Sequence, residues 1–348
     1  MKLAIISITG SLILVAVITS PLLAIAEEYN AEPQTSVLWG KDDEAGNTNT
    51  QNSKKLLEAT KLIKKGKKYM LGHVYEIGMP AFPGNSWVLE MKPPTPLDRH
   101  VGNIEYFHGE IGQNGTQLDA LGHFGIKPND GDPNIQNTLY YNRFRGSEVH
   151  GVTGLKKLGV EKLKPFFTRG ILLDVSLYQF GGAVLPEGQE ITMEHVRNTL
   201  SKQGMTEDDI REGDVVLFRT GWEANWDKGT LGYYKGLPGT PGGVPGIGLE
   251  VAKWLAAKRV ACVGADNWGV EFYPNNSVPG LPSPVHNELI VKNGIPHQES
   301  MHLSELADDA AVEKETGSGR DAYTFAYIFV PVPVKGASGS PGIPMAVQ

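Results

Sequence analysis

The sequence predicts a mixed α/β fold built in layers, and three observations carry that prediction. Five apolar runs, often rich in β-branched residues, are bounded by Gly, Asp or Pro, as strands usually are. These runs alternate with helix patterns without strict βαβ regularity, which disfavours a TIM barrel or a Rossmann domain. The 348 residues are 40% hydrophobic with 42 Gly and 23 Pro, which suits one large core with many loops.

The predicted elements follow one another along most of the chain. The strands are YMLGHVYEI (69–77), GILLDVS (170–176), DVVLFRT (214–220), RVACVGAD (259–266) and TFAYIFVPVPV (324–334). Helices are predicted after the capping residues Ser53 and Thr192, and over residues 247–258. No repeat or low-complexity linker divides residues 38–335, so this segment is predicted to be a single domain. Small and polar residues dominate 27–37 and 336–348, which predicts a flexible N-terminal segment and a flexible C-terminal tail.

Residues 1–26 have the pattern of a secretory signal peptide. Lys2 precedes an apolar run, and Ala24-Ile25-Ala26 forms a cleavage site with small residues at its first and third positions. The alternative is a retained anchor, because the run approaches the ~20 residues that span a bilayer. Polar residues and Pro21 dilute the run and favour the signal. We therefore expect export to a bacterial periplasm or the medium, without stable membrane association after cleavage.

Charge and cysteine content exclude several classes of protein. The net charge of −7 argues against a nucleic-acid partner. The one lysine-rich stretch, Ser53–Lys68, has apolar residues at helical spacing, so its lysines are interpreted as the solvent face of an amphipathic helix. Cys262 is the one cysteine, which excludes an intrachain disulfide and a cysteine-rich zinc site.

Two segments concentrate residues that can do chemistry. In IGQNGTQLDALGHFG (111–125), Gln117 and Asp119 would share a face if the segment is extended, and His123 follows on a Gly-bounded turn. In SPVHNELIVKNGIPHQES (283–300), His286 lies near the start of a short helix and Glu299 follows a Gly-Ile-Pro stretch. Each residue alone is more often a solvated or capping residue than a metal ligand.

Together these segments resemble the cyclase family, which includes bacterial kynurenine formamidase and isatin hydrolase. The resemblance begins at WGKDDEAGNTN (39–49) and continues through HVYEIGMPAFPG, GTQLDALGHFG, GILLDVS, GDVVLFRTGW and VGADNWGVE to the segment beginning VHNELIVKNGI (285–295). It implies a layered β/β/α, swivelling-domain-like fold and a homodimer or larger homo-oligomer.

The family's central motif reads His-x-Gly-Thr-His-x-Asp-x-x-x-His. Asp119 and His123 match its aspartate and its last histidine, whereas Gln113 and Gln117 stand where the two earlier histidines are expected. In the family the early histidines and the aspartate hold metal, and the last histidine serves the chemistry. The resemblance therefore implies that His123 is catalytic and that Asp119 is a ligand, with Gln117 and Gln113 as weaker candidates.

Downstream, His286 and Glu299 match the family's remaining pair of ligands. The resemblance implies one divalent cation with an open water position. Because the set is rich in oxygen, Mn²⁺ becomes competitive with Zn²⁺. Such an ion would activate water and polarise a carbonyl, while His123 moves a proton. The substrate class implied is a small amide, lactam or lactone, as for an arylformamidase or isatin hydrolase.

An aromatic-accepting pocket is predicted from Phe82, Trp87 and Trp268, although packing in the core explains these residues equally well. A serine hydrolase is disfavoured because no Gly-x-Ser-x-Gly sits between a strand and a helix. The glycine-rich 239–248 lacks the nucleotide-binding fingerprint. The alternative to an enzyme is an exported small-molecule binding protein on the same fold, in which the two glutamines mark lost catalysis.

Overall fold

A computed structural model of the protein describes residues 29–128 and 132–348, so the predicted signal peptide, 1–26, lies outside the described residues. Residues Ala31–Gln348 form one compact unit. The described strands are β1 (Lys68–Met70), β2 (Trp87–Met91), β3 (Thr95–Leu97), β4 (His100–Gly102), β5 (Glu105–Gly109), β6 (Gln117–Asp119), β7 (Phe166–Asp174), β8 (Glu190–Ile191), β9 (Val215–Arg219), β10 (Gly246–Ile247), β11 (Cys262–Ala265), β12 (His297–Glu299), β13 (Thr324–Phe329), β14 (Gly339–Pro341) and β15 (Met345–Val347). The α-helices are α1 (Ser53–Thr60), α2 (Gly146–Val149), α3 (Val175–Phe180), α4 (Met193–Lys202), α5 (Gly229–Tyr233), α6 (Leu249–Lys258), α7 (Pro284–His286) and α8 (Ser304–Glu313).

A nine-stranded mixed sheet organises the fold, in the order β1-β15-β13-β7-β9-β11-β12-β6-β14. The central strands β7, β9, β11 and β12 run parallel, and the pairs outside them are antiparallel. The second half of β7 and nearly all of β9 are buried, as expected for parallel strands covered on both faces. The predicted mixed α/β class is therefore confirmed, and three of the predicted strands, 170–176, 214–220 and 259–266, lie in the middle of the sheet as β7, β9 and β11.

Two predicted helices begin close to their expected capping residues. Thr192 accepts a hydrogen bond from the backbone of His195 and starts α4. For α1 the capping residue is Asn52, one position before the predicted Ser53, since its side chain accepts from the backbones of Lys54 and Lys55. The sequence therefore located both helices and missed one cap by a residue.

The first predicted strand, 69–77, is much shorter in the structure. It ends at Met70, and the backbone N–H of His73 donates to Thr116 Oγ1 at 3.0 Å instead of to a neighbouring strand. A Cβ at Gly72 would lie 2.7 Å from the same oxygen, so glycine permits this close approach. The chain therefore leaves the sheet here and passes beside the segment that precedes β6.

The expectation of a loose tail over 336–348 is wrong. Strand β15 pairs with both β1 and β13, and β14 pairs with β6. The side chain of Gln348 is buried and donates hydrogen bonds to two backbone carbonyls. A Cβ at Gly339 would lie 2.5 Å from the carbonyl oxygen of Gly112. The small residues of this segment therefore allow close packing, which composition alone does not distinguish from flexibility.

The described part of the N-terminal segment 27–37 is also held against the domain. The amide of Asn287 donates to the carbonyl of Ala31 at 2.9 Å, and the backbone N–H of Ser36 donates to Asn142 Oδ1 at 2.7 Å. Residues 31–37 are therefore anchored by hydrogen bonds, contrary to the flexible segment that was expected.

Two small antiparallel ribbons lie outside the main sheet. Strand β2 pairs with β5, and β3 pairs with β4 within the same excursion, so residues 87–109 form an arm. Several apolar side chains of this arm are exposed, namely Val88, Leu89, Met91, Leu97, Val101 and Ile104. Among the helices of residues 29–128 and 132–348, none combines the length and apolar character needed to span a membrane.

Candidate active site

The pairing of β6 with β12 builds the floor of the site. In this antiparallel register Asp119 faces His297, and Gln117 faces Glu299. Because alternate residues of a strand share a face, these four side chains form a compact square. All four are at most 5% exposed. The two motif segments, distant in sequence, are therefore brought together by one strand pair.

His123 stands on the turn that follows β6. Its backbone N–H donates to the carbonyl of Ala120, and its Nε2 lies 3.4 Å from Asp119 Oδ2. A Cβ at Gly122 would lie 2.4 Å from a side-chain methyl of Leu155, so this tight turn favours glycine. Burial lowers the pKa of His123 and outweighs the charge of Asp119, so the ring is a neutral proton acceptor at physiological pH.

His286, at the end of α7, points one ring nitrogen into the site and the other at a carboxylate. Its Nδ1 lies 2.5 Å from Glu271 Oε1. Its Nε2 lies 3.4 Å from Glu299 Oε1 and 4.0 Å from Asp119 Oδ2. Burial alone would lower the pKa of His286, but the carboxylates of Glu271 and Glu299 outweigh it and raise the pKa to about 10. A histidine held at one nitrogen by a carboxylate is the usual arrangement of a metal ligand.

The two glutamines donate hydrogen bonds to the acidic residues. Gln113 Nε2 donates to Asp119 Oδ1 at 2.8 Å, while its oxygen accepts from Gln117 Nε2 at 3.3 Å. Gln117 Nε2 also donates to Glu299 Oε2 at 3.2 Å. Gln113 therefore orients Asp119, and this arrangement does not support its predicted role as a ligand. Gln117 keeps its oxygen free.

Unpartnered polar atoms mark the centre of the square as a site for a cation. Gln117 Oε1, Asp119 Oδ2, Glu299 Oε1 and both ring nitrogens of His297 are buried, and none has a hydrogen-bond partner among the described residues. His123 and His286 approach the Asp119 and Glu299 oxygens to 3.4 Å without forming a hydrogen bond. Leaving such acceptors unpaired costs roughly 1–3 kcal/mol each. Burial, and next the charge of Asp119, raise the pKa of Glu299 to about 8, which shows how closely the carboxylates crowd. A divalent cation would satisfy these atoms, so the residues fit a metal.

Sequence reasoning missed two residues of this cluster, His297 and Glu271. A nitrogen of His297 lies within 4.8 Å of ligand atoms of His286 and Glu299. The signal for His297 was its position two residues before Glu299, since strand periodicity places both on one face. Glu271 closes the segment VGADNWGVE that carries part of the resemblance, but its contact with His286 depends on tertiary structure.

Glu271→Gln is expected to weaken metal binding by roughly 10–100-fold, the usual cost of losing the partner of a ligating histidine. The amide can still contact His286, but it lacks the charge that favours an N–H at Nδ1. Equilibrium dialysis with Zn²⁺ measures the effect, with the exposed Glu250 changed to Gln as a control. Equal affinity in the Glu271 variant and the parent would contradict the orienting role.

A cavity of about 340 Å³ opens beside these residues and carries an aromatic wall. Phe82 and Trp268 line it, together with Tyr234 and Tyr273, and their contact with a substrate stays a prediction. The rings of Phe82 and Trp268 meet edge to face, 6.3 Å between centroids. Trp87 is not among its described lining residues; its ring stacks on Tyr75 outside the cavity, so its predicted role is not supported.

Comparisons with known proteins agree with this architecture. The Cyclase family model matches residues 69–272, more than half of the chain. A crystal structure of a novel cyclase is 27% identical, with a TM-score of 0.73, covering 89% of this chain and 98% of that one. Isatin hydrolase A from Labrenzia aggregata, bound to benzyl benzoate, is 18% identical with a TM-score of 0.52, covering 83% and 94%. An isatin hydrolase bound to the product analogue thioisatinate is 16% identical with a TM-score of 0.53, covering 84% and 95%.

Among curated proteins, none matches the chain. The structural likenesses extend over most of each compared chain, and they confirm the layered cyclase-family fold that the motifs predicted. The family model spans the β6 motif and its turn as well as the central strands β7, β9 and β11. This chain belongs to the cyclase family.

Proposed function

We propose that this protein is an exported metal-dependent hydrolase of small amides, lactams or lactones, with one divalent ion, Mn²⁺ or Zn²⁺, at Asp119, His286 and Glu299. The observation that carries the proposal is the convergence of these three buried side chains, with unpartnered acceptor atoms facing one another. Two buried carboxylates that lie within 4.0 Å of the same histidine nitrogen favour the binding of protons or of a cation.

The residues of this chain have separable roles in such a reaction. When bound, the ion would supply Lewis-acid activation of water and of the substrate carbonyl. His123, neutral because burial lowers its pKa, takes a proton from the attacking water and returns it to the leaving nitrogen or oxygen. Asp119 lies 3.4 Å from that ring and favours the protonated form once the proton has moved. Gln113 and Glu271 hold Asp119 and His286 in place.

His297 modifies the expected ligand set. It is a buried imidazole with both nitrogens unpartnered among the described residues, and it faces Asp119 across the strand pair. We include it as a further nitrogen donor, which makes Zn²⁺ more competitive than the oxygen-rich set of the motif suggested.

Gln117→His is expected to tighten Zn²⁺ binding relative to Mn²⁺, because imidazole is a better zinc donor than an amide oxygen. The position faces Glu299, so the new ring would enter the existing square. Competitive titration of both ions against a chromogenic chelator measures the change in the ratio of affinities. An unchanged ratio would show that position 117 does not contact the ion.

Metal binding is expected to release protons in a pH-dependent way. Without metal, burial and Asp119 raise the pKa of Glu299 to about 8, and the carboxylates hold a proton on His286 to about pH 10. An ion needs the carboxylate and the neutral imidazole, so its binding displaces protons from these two groups. Affinity should therefore rise with pH. Calorimetry in buffers of different ionisation enthalpy counts the protons, and a pH-independent affinity would contradict this ligand set.

An aromatic substrate fits the cavity best. Its wall of Phe82, Trp268, Tyr234 and Tyr273 adjoins His123 and Glu299, and about 340 Å³ accommodates a small bicyclic molecule. Two similar structures are named isatin hydrolases, and isatin is an aromatic lactam. We propose an aryl amide or aryl-fused lactam, as an arylformamidase or isatin hydrolase would take.

The proposal is tested with isatin, an N-formyl arylamine and an aryl lactone as substrates. Hydrolysis of at least one should require Mn²⁺ or Zn²⁺ and stop on chelation. The alternative, a binding protein, is recognised by quenching of Trp268 fluorescence without metal-dependent turnover of any of the three. Trp268→Phe identifies the emitting residue.

Export is part of the proposal and rests on the pattern of residues 1–26. Intact-mass measurement of protein recovered from its host should place the mature start near Glu27. A full-length species extracted from membranes would reject cleavage and favour the anchor.

We also propose a homodimer or larger homo-oligomer, in which a second copy covers the arm 87–109. An isolated two-stranded ribbon is at best marginally stable, and exposed apolar patches mark interfaces. Changing Leu97 and Val101 together to Glu should then lower the mass measured by light scattering. A parent protein that is monomeric at micromolar concentration would contradict the proposal.

A further inference from the structure

A second group of potential ligands lies outside the cavity. His73 follows β1, Glu223 belongs to the 3-10 helix Trp222–Lys228 after β9, and His302 lies between β12 and α8. One ligand atom from each lies within 4.8 Å of the other two. None of the three lines the candidate active site. Three segments distant in sequence therefore bring two imidazoles and a carboxylate together.

Neighbouring groups already orient the carboxylate. Glu223 Oε2 accepts a hydrogen bond from the backbone N–H of Leu303 at 2.7 Å, and Oε1 accepts from the hydroxyl of Ser304. His302 Nδ1 lies 2.9 Å from Glu223 Oε2. The Glu223 carboxylate thus contacts both the start of α8 and the imidazole of His302. Side chains fixed in this way need little reorganisation to bind an ion.

His73 is fixed in orientation but lacks a partner for one nitrogen. Its ring stacks on Trp226, with centroids 3.9 Å apart and planes 3° from parallel. Its backbone N–H donates to Thr116 Oγ1. Its Nε2 is buried and has no hydrogen-bond partner in the described part of the chain. The ion pair between His302 and Glu223 accounts for the proximity of those two side chains. It provides no partner for His73 Nε2.

Charge and access also favour a cation. The side chain of His302 is 36% exposed, which leaves a route for an ion and for water as a further ligand. Arg219 lies 3.9 Å from Glu223 but is also paired with the carboxylates of Asp174 and Asp308. The surroundings are therefore net acidic.

We propose that His73, Glu223 and His302 form a second divalent-cation site, suited to zinc and separate from the candidate active site. Two imidazoles and one carboxylate, with water as the fourth ligand, are an established zinc set. The ion would tie the segment after β1 to the helix after β9 and to the start of α8, so its binding would stabilise the folded protein.

The test counts zinc in the full mature chain. Protein stripped with chelator is loaded with Zn²⁺ at neutral pH, desalted, and measured by atomic emission. The parent should hold two equivalents. His73→Phe, which keeps a ring on Trp226 without a nitrogen, should hold one, as should His302→Gln. Asp119→Ala should also hold one, and its combination with His73→Phe none. His108→Gln, at an exposed histidine of β5, is the matched control and should hold two.

The outcomes separate this site from the proposed function. One equivalent in the parent, lost in His73→Phe but kept in Asp119→Ala, supports this site and removes the catalytic metal. Zinc counts equal to the parent's in both His73→Phe and His302→Gln overturn it. Zinc should also raise the Tm of the parent and of Asp119→Ala by several degrees, and less so that of His73→Phe. Circular dichroism checks folding, and if one histidine variant fails to fold, the other decides.

Discussion

Replacing Asp119 with Asn is expected to abolish metal binding at the candidate active site and to reduce hydrolysis by roughly 10³-fold, the upper scale of a single electrostatic contribution to catalysis. The carboxylate is fully buried and lies near both His123 and His286. One of its oxygens accepts a hydrogen bond from Gln113, and the other has no hydrogen-bond partner among the residues described. Asparagine keeps the shape but removes the charge that a cation requires.

The experiment compares metal content and kcat/KM for Asp119→Asn, the parent and Asp208→Asn. Asp208 is an exposed residue whose side chain is 99% accessible, so its variant controls for the change of charge. Thermal unfolding must show that Asp119→Asn is folded. We expect it to be at least as stable as the metal-free parent, because the change relieves the repulsion of Asp119 and Glu299. Full activity in the Asp119 variant would remove the ion from the reaction.

His123→Asn is expected to lower kcat by roughly 10²-fold or more, the usual scale for a general acid–base group. Metal content and KM should change little, because His123 contacts Asp119 from beside the ligands and is not one of the proposed ligands. Since burial lowers its pKa, the neutral form persists below the usual range of histidine, and activity should fall only at more acidic pH.

The pH profile separates a catalytic role from a packing role. With metal kept saturating at each pH, the acidic limb of kcat/KM should disappear in His123→Asn, whereas a packing defect would lower the whole curve without changing its shape. His150→Asn is the control: this histidine bonds to Tyr140 and does not line the cavity. An unchanged kcat on a substrate that the parent hydrolyses would remove His123 from the mechanism.

Local pattern predicted the centre of the fold well and its edges poorly. Buried strands such as β7 and β9 contain short apolar runs, ILL and VVLF, and α4 begins after a capping threonine, so each is encoded in a few neighbouring residues. Strands β14 and β15 are only three residues long, and β14 consists of Gly, Ser and Pro. They are strands because they pair with neighbouring strands of the sheet, and the local residue preferences do not indicate that pairing.

The sequence likewise predicted some residues of the candidate site and missed others. Asp119, His123, His286 and Glu299 were identified through motifs, and the structure brings them together. His297 and Glu271 were missed because their roles depend on register across β6–β12 and on the approach of α7. Gln113, in contrast, was predicted to be a ligand from its place in the motif, but in the structure its amide nitrogen donates a hydrogen bond to Asp119. Side-chain orientation is a tertiary property, so spacing alone could not decide it.

Titration of the chelator-stripped protein with Mn²⁺ and Zn²⁺, in the parent and in Asp119→Asn, shows whether a catalytic ion binds at Asp119. We predict one equivalent that the parent binds and the variant does not, and metal-dependent hydrolysis that appears as this equivalent is added. If the parent binds neither ion measurably at neutral pH, or if both proteins bind the same number of equivalents, no catalytic ion binds at Asp119 and the binding-protein alternative takes the place of the hydrolase.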